Sequence, residues 1–386
     1  MKSARFATLA LSFLAIGTAN MAVAVVVPKP PAVDARAYLL VDYASGRVLA
    51  EDKADERMEP ASLTKIMTAY AVAKALHEHR LKLDDTVTIS EHAWRAGGAA
   101  SGGSTTFLPL GSSVPVDVLI KGMLVQSGND ATIALAEKIG GTESAFVELM
   151  NTYAKSLGMK GTHFENSAGL PSPNHYTTAR DMATLSRALI REYPDFYPYF
   201  SLREFVWNNI RQGNRNGLLT RDPTVDGIKT GHTDSAGYCL ITSANRSGMR
   251  LISVVLGSPS IKAREEASAA LINYGYTFYE TVKLKSKGDS VLKPRVYKGA
   301  AEYVSVGLAA DVSITATRGD ASAIRTSARV DDPLIAPLDR SRPVGQLTVS
   351  GPAGDTLQTV PLYPLENVAE GGLWTRLSDT VRLWLH

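Results

Sequence analysis

The chain has 386 residues, 45% of them hydrophobic and 20% charged, with a formal net charge of +3. Those values are ordinary for globular proteins and exclude a disordered, collagen-like or polytopic membrane chain; domains of roughly 100–200 residues make two the natural expectation. No Lys/Arg-dense run with interleaved aromatics is present, so no nucleic-acid partner is expected.

The N-terminus reads as an export signal over residues 1–24: Lys2 and Arg5 precede an apolar run from Phe6 to Ile16, followed by small residues at Ala22 and Ala24. That run falls short of the ~20 residues needed to span a bilayer. After the Pro-rich stretch Pro28 to Pro31, the segments Ala37–Val41 and Arg47–Ala50 flank a turn at Ala44-Ser45-Gly46 and predict a hairpin. Pro60 precedes good helix formers, so a helix is expected from about Ser62 to Ala75. Between Trp94 and Pro109 lies a run of small residues, including Gly97, Gly98, Gly102 and Gly103, read as a mobile surface loop bordering a cleft.

Helical patterns follow at Val116–Val125, Ala131–Ile139, Ser144–Leu157 and Ala179–Ile190. Strand patterns return at Gly227–Thr233, Gly237–Ala244 and Leu251–Leu256, then a helix at Ala263–Tyr274. Strands at both ends with helices between imply one α+β unit over residues 33–282. The short alternating segments beyond it imply a small all-β unit over 283–366. In the last stretch, 371–386, Trp374, Leu377, Val381, Trp384 and Leu385 share one helical face while Arg376 and Asp379 face away. Such a helix suits a membrane interface, or packs on its own domain. The single cysteine, Cys239, sits in an apolar run and is read as a core filler.

Ser62-Leu63-Thr64-Lys65 puts a hydroxyl and an amine on one face of a helix start. Serine becomes a useful nucleophile when a neighbour takes its proton, and a lysine does so where burial or a nearby cation disfavours its charged form. The pattern alone is weak, since Ser290-Val291-Leu292-Lys293 repeats it beside Pro294 in the β-rich tail. Order strengthens the first copy: Ser127-Gly128-Asn129 and then Lys229-Thr230-Gly231 follow it. Ser127 is suited to relay a proton to a leaving amine, and Asn129 to accept from Lys65 while donating to a substrate carbonyl. Lys229 supplies a second cation and Thr230 a carboxylate partner. Gly231 allows a close backbone approach, and the His232 N–H joins that of Ser62 as an oxyanion hole. His77-Glu78-His79 points in divergent directions and no His-Glu-x-x-His pattern exists, so no metal is expected.

The three ordered motifs are a signature of penicillin-binding proteins and class A β-lactamases. In full, Pro60–Lys65, Gln126–Ala131 and Asp226–Thr233, with 177–182 and 211–219, resemble the low-molecular-mass penicillin-binding proteins of the D-alanyl-D-alanine carboxypeptidase type. The resemblance implies a serine-peptidase domain with an antiparallel sheet flanked by helices, a β-rich domain and an amphipathic anchor. It also implies removal of the terminal D-alanine from peptidoglycan stem peptides without a cofactor, inhibition by β-lactams, and residence on the periplasmic face of the inner membrane. Arg215 and Arg264 become candidates for binding substrate or supporting the cleft. The rival readings are a β-lactamase, a D,D-endopeptidase or transpeptidase, and a non-catalytic wall-binding or β-lactam-sensing protein. Against the first, Glu165-Asn166 lacks the surroundings of a deacylation loop, and Gly128 stands where aspartate is usual.

Overall fold

A computed structural model describes residues 27–384; the expected export signal, and Leu385 of the expected terminal helix face, lie outside them. The fold is α+β. Its centre is a five-stranded antiparallel sheet built from β1 (Ala37–Asp42), β2 (Val48–Asp52), β3 (Val225–Thr233), β4 (Gly237–Arg246) and β5 (Met249–Ser258), in the order β2-β1-β5-β4-β3. Successive side chains on a strand point to opposite faces. Leu39, Val41, Cys239, Ile241, Ile252 and Val254 therefore enter one core, and Leu40, Leu240, Leu251 and Val255 a second. Both faces are covered, which is why these strands read as continuous apolar runs rather than alternating ones.

The first core is filled by α1 (Lys65–His77), α2 (Asn129–Gly140), α3 (Glu143–Ser156) and α4 (Ala179–Glu192). The second is closed by α5 (Ile261–Phe278), through Ala267, Leu271, Ile272 and Tyr274. Side-chain caps start three of these helices: Thr142 accepts from the Ala145 amide, Thr178 from Asp181 and Ser260 from Ala263. Helix α1 is buried nearly all round, from Lys65 through Ala75. A helix with no solvent face belongs in the middle of a protein, and that alone makes its first residue dry.

The Trp94–Pro109 run keeps an exposed surface stretch at 99–103 but departs at both ends from the expected mobile loop. Residues Glu91–Gly97 are helical, and Thr105, Thr106 and Leu108 are buried. Buried Asp130 accepts from the Thr105 hydroxyl at 2.8 Å and from the amides of Thr106 and Leu108 at 2.8 and 3.1 Å. Gly97 serves contact, since a Cβ there would lie 2.2 Å from the Asp130 amide nitrogen, whereas Gly102, at φ 72°, has nothing within 4 Å.

From α5 the chain runs directly into β6 (Tyr279–Lys285), which pairs with β7 (Val312–Thr317). Then β8 (Arg325–Val330), β9 (Gly345–Ser350) and β10 (Thr356–Pro364) form part of a second five-stranded sheet around Val306, Leu347, Val349 and Leu362. Ser290–Leu292, the second Ser-x-x-Lys copy, is a short strand of that sheet with no helix to align its side chains. The terminal helix α6 (Leu373–Trp384) docks by its polar side: Asp379, 3% exposed, accepts from the Lys298 amide at 2.7 Å. Its apolar residues point outward, with Leu373, Trp374 and Trp384 more than 80% exposed. No described helix is long and apolar enough to cross a membrane.

Candidate active site

Three elements converge. The turn Ala61–Thr64, a single tight 3-10 turn rather than the start of the α-helix itself, presents Ser62 and leads into Lys65 at the head of α1. The helix from Val116 widens into a π-type turn over Gly122–Gln126 and ends in Ser127 at φ 66°. That left-handed conformation, costly for a non-glycine residue, turns the chain sharply so that Ser127 meets Lys229 and Asn129 meets Lys65. Strand β3, at the edge of the sheet, carries Lys229 through His232.

Lys65 Nζ lies 3.0 Å from Ser62 Oγ, 2.8 Å from Asn129 Oδ1 and 2.6 Å from the Ala168 carbonyl oxygen. Lys229 Nζ donates to Ser127 Oγ and to the Thr230 carbonyl, each at 3.0 Å. Ser62 is partly exposed, whereas Lys65, Ser127, Asn129, Lys229 and Thr230 are buried. Burial pulls Lys65 down to about 7, helped by the positive field of Arg215 and opposed by Asp130. Lys229 is pushed well below the lysine range by burial and then by the charges of Lys65, Arg215 and Arg264. Two ammonium groups in so dry a site oppose each other's charge.

The remaining candidates divide. His232 is exposed and stacks on Tyr238 with ring centroids 4.0 Å apart. Gly231 is pressed by the chain itself: a Cβ there would lie 3.0 Å from the Pro60 carbonyl oxygen, so the glycine admits the nucleophile turn. Arg264 is 4% exposed and donates to the carbonyls of Gly231, Cys239 and Arg215 at 3.3–3.4 Å, which makes it a support beneath β3. Arg215 is exposed, and its charge is felt at both lysines. Cys239 is buried, as read.

The sequence reading gave no role to Asp130, nor to the Ala168 carbonyl. Asp130 adjoins the second motif and was within reach; a backbone carbonyl carries no side-chain signal.

The profile of the D-alanyl-D-alanine carboxypeptidase family, peptidase family S11, matches residues 24–260, and that of the C-terminal domain of penicillin-binding protein 5 matches 279–370. The chain belongs to the D-alanyl-D-alanine carboxypeptidase family. This carboxypeptidase is 42% identical to D-alanyl-D-alanine carboxypeptidase DacA of Escherichia coli K12 over 363 residues, covering 93% of this chain and 90% of that one. It resembles the crystal structure of penicillin-binding protein 5 from Haemophilus influenzae with a TM-score of 0.83 and 41% identity, across 89% of this chain and all of that one. Penicillin-binding protein D2 from Listeria monocytogenes, solved in an ampicillin-bound form, matches 64% of this carboxypeptidase at 30% identity and a TM-score of 0.57.

Glu165, the residue weighed as a β-lactamase-type water activator, spends its carboxylate within its own loop, accepting from the Ser172 hydroxyl and from the Asn174 amide.

Proposed function

We propose that residues 33–282 of this carboxypeptidase work through a Ser62 acyl-enzyme and take D-alanine from the end of peptidoglycan stem peptides. The observation that carries the assignment is the set of three neighbours around Lys65 Nζ. A neutral amine has two N–H donors and one lone pair. Asn129 Oδ1 and the Ala168 carbonyl can only accept, so they take the two donors and leave the lone pair facing Ser62 Oγ. Lys65 then accepts the Ser62 proton as Oγ attacks the carbonyl of the penultimate D-alanine.

The amides of Ser62 and His232 hold the developing oxyanion. Asn129, with its oxygen spent on Lys65, offers its NH2 to the substrate amide carbonyl. Thr230, beside the positive field of Lys229 and Arg215, receives the terminal carboxylate. Ser127 relays a proton to the departing amine and recovers one from protonated Lys65, so D-alanine leaves; water then gives a proton to Lys65, which returns it to Ser62 Oγ as the ester is cleaved. The edge position of β3 supports this pose, since an extended peptide can add to the edge of a sheet. β-Lactams acylate the same serine and remain, because their expelled amine stays tethered.

The β-rich residues 283–366 hold α6 with its apolar face outward, which supports attachment of that face to the outer surface of the inner membrane, with Trp374 and Trp384 at headgroup depth. The engaged carboxylate of Glu165 speaks against rapid β-lactam turnover. The test is intact mass after mixing with benzylpenicillin, together with release of D-alanine from a diacetylated tripeptide ending in D-Ala-D-Ala. A stable adduct on Ser62 with D-alanine release is expected; turnover of penicillin without peptide cleavage would reverse the reading in favour of a β-lactamase.

A further inference from the structure

The third acceptor around Lys65 is a backbone oxygen, and a carbonyl points only where its neighbours hold it. Ala168 lies in a tight turn in which Asn166 Oδ1 accepts from the Gly169 and Leu170 amides at 2.7 and 2.9 Å. That turn is tied to two helices through Ser167. From α1, Thr68 Oγ1 donates to the Ser167 carbonyl at 2.7 Å. From α3, Glu143 Oε1 accepts both the Ser167 amide at 3.0 Å and the Ser167 hydroxyl at 2.6 Å. Its other oxygen, Oε2, lies 2.6 Å from His92 Nε2.

Glu143 is the first residue of α3, after the Thr142 cap, where a negative charge also suits the helix dipole. Its side chain is 15% exposed, while that of His92 is 54% exposed. Burial alone would push the Glu143 carboxyl up, yet the Ser167 and His92 contacts outweigh it and hold the group below the ordinary glutamate range. An ionised, enclosed carboxylate gripping one residue by two donors is a stiff clamp. The residue it grips is the one before Ala168.

We infer that Glu143 is a positioning residue for Lys65: by fixing Ser167 it aims the Ala168 carbonyl at Nζ, which keeps one lysine N–H occupied and the lone pair directed at Ser62. Glu143 touches neither substrate nor reacting atoms. The inference rests on the assignment of Lys65 as base. Small errors in such alignment are costly, since a displacement of about 1 Å can lower a rate by about 100-fold.

The experiment measures benzylpenicillin acylation by stopped flow, separating the binding constant from the first-order acylation constant, in wild type, Glu143→Ala, Glu143→Gln, Glu143→Asp and Lys65→Ala, with melting temperatures alongside. Glu143→Ala is expected to lower the acylation constant about tenfold or more while binding changes by less than about threefold. Glu143→Gln restores the acylation constant to within about threefold, because its amide oxygen still accepts from Ser167. Glu143→Asp withdraws the carboxylate by one methylene and carries the same test should the alanine variant not fold; it too is expected to acylate slowly. Wild-type acylation constants in folded Glu143→Ala or Glu143→Asp, with only the melting temperature lowered, would make the residue purely structural and overturn the inference. Lys65→Ala separates the two levels: near-normal acylation there removes the base assignment itself, whereas an inactive Lys65→Ala beside a fully active Glu143→Ala defeats the positioning role alone.

Discussion

Lys65 owes its burial and lowered basicity to where α1 begins. A lysine on an exposed helix would stay charged, but this one opens a helix whose next ten residues are nearly all buried, and its side chain is 0% exposed. With Lys65 drawn down to about 7, the neutral, base-competent form gains population as pH rises through that value. Acylation by benzylpenicillin should therefore climb on the acid side and level off above about pH 7, and an acid limb displaced toward the ordinary lysine range would contradict the assignment. Lys65→Arg, whose guanidinium stays charged, should abolish acylation, as measured by the mass shift on Ser62. The ordered Ser-x-x-Lys, Ser-Gly-Asn and Lys-Thr-Gly triplets made these residues legible because each role demands a particular functional group. Arg264 was less legible: a cation in a helix reads alike whether it meets substrate or three backbone carbonyls.

At the scale of elements, the stretch after α1 shows how composition misleads. Gly97, Gly98, Gly102 and Gly103 suggested mobility, whereas Thr105–Leu108 is strapped to Asp130 at the head of α2, immediately after Asn129. Glycine removes a side chain, and removing one serves close packing as readily as motion. Asp130→Ala would leave four buried donors unpaired, the Thr105 hydroxyl and the amides of Thr106, Leu108 and Ala131, at about 1–3 kcal/mol each before relaxation. A loss of at least about 2 kcal/mol in urea unfolding is expected, with slower acylation as Ser127 and Asn129 lose their backing. Unchanged stability would mean that water replaces the carboxylate. The sheet and helices were legible because apolar runs and the residues that punctuate them are local. The π-type turn into Ser127 was not, since left-handed backbone at a serine has no sequence pattern.

Across the whole molecule, the two parts are joined by more than the passage from α5 into β6. The Ser45 hydroxyl lies 2.5 Å from that of Thr315, Arg47 donates to the Thr315 carbonyl at 2.8 Å, and Thr281 donates to buried Asp42. The β1–β2 turn is thus a seat for the β-rich part. At the far end, Asp379 secures α6 and leaves its apolar stripe uncovered. Deleting residues 373–386 should abolish co-sedimentation with anionic phospholipid vesicles while leaving D-alanine release from a soluble peptide intact; retained sedimentation would place the attachment elsewhere.

The sequence by itself determined the chemistry and the classes of element. Functional groups and local hydrophobic pattern are properties of short stretches, and they picked out the proposed nucleophile, its proposed lysine base, the two supporting motifs, the α+β order and the β-rich tail. Tertiary structure decided everything that depends on what lies opposite a residue. It selected which Ser-x-x-Lys copy is aligned, which arginine is a support, which carbonyl completes the lysine's environment, and which side of α6 meets its own domain. Burial and opposing charge arise between segments far apart in the chain, so no single stretch could have declared them.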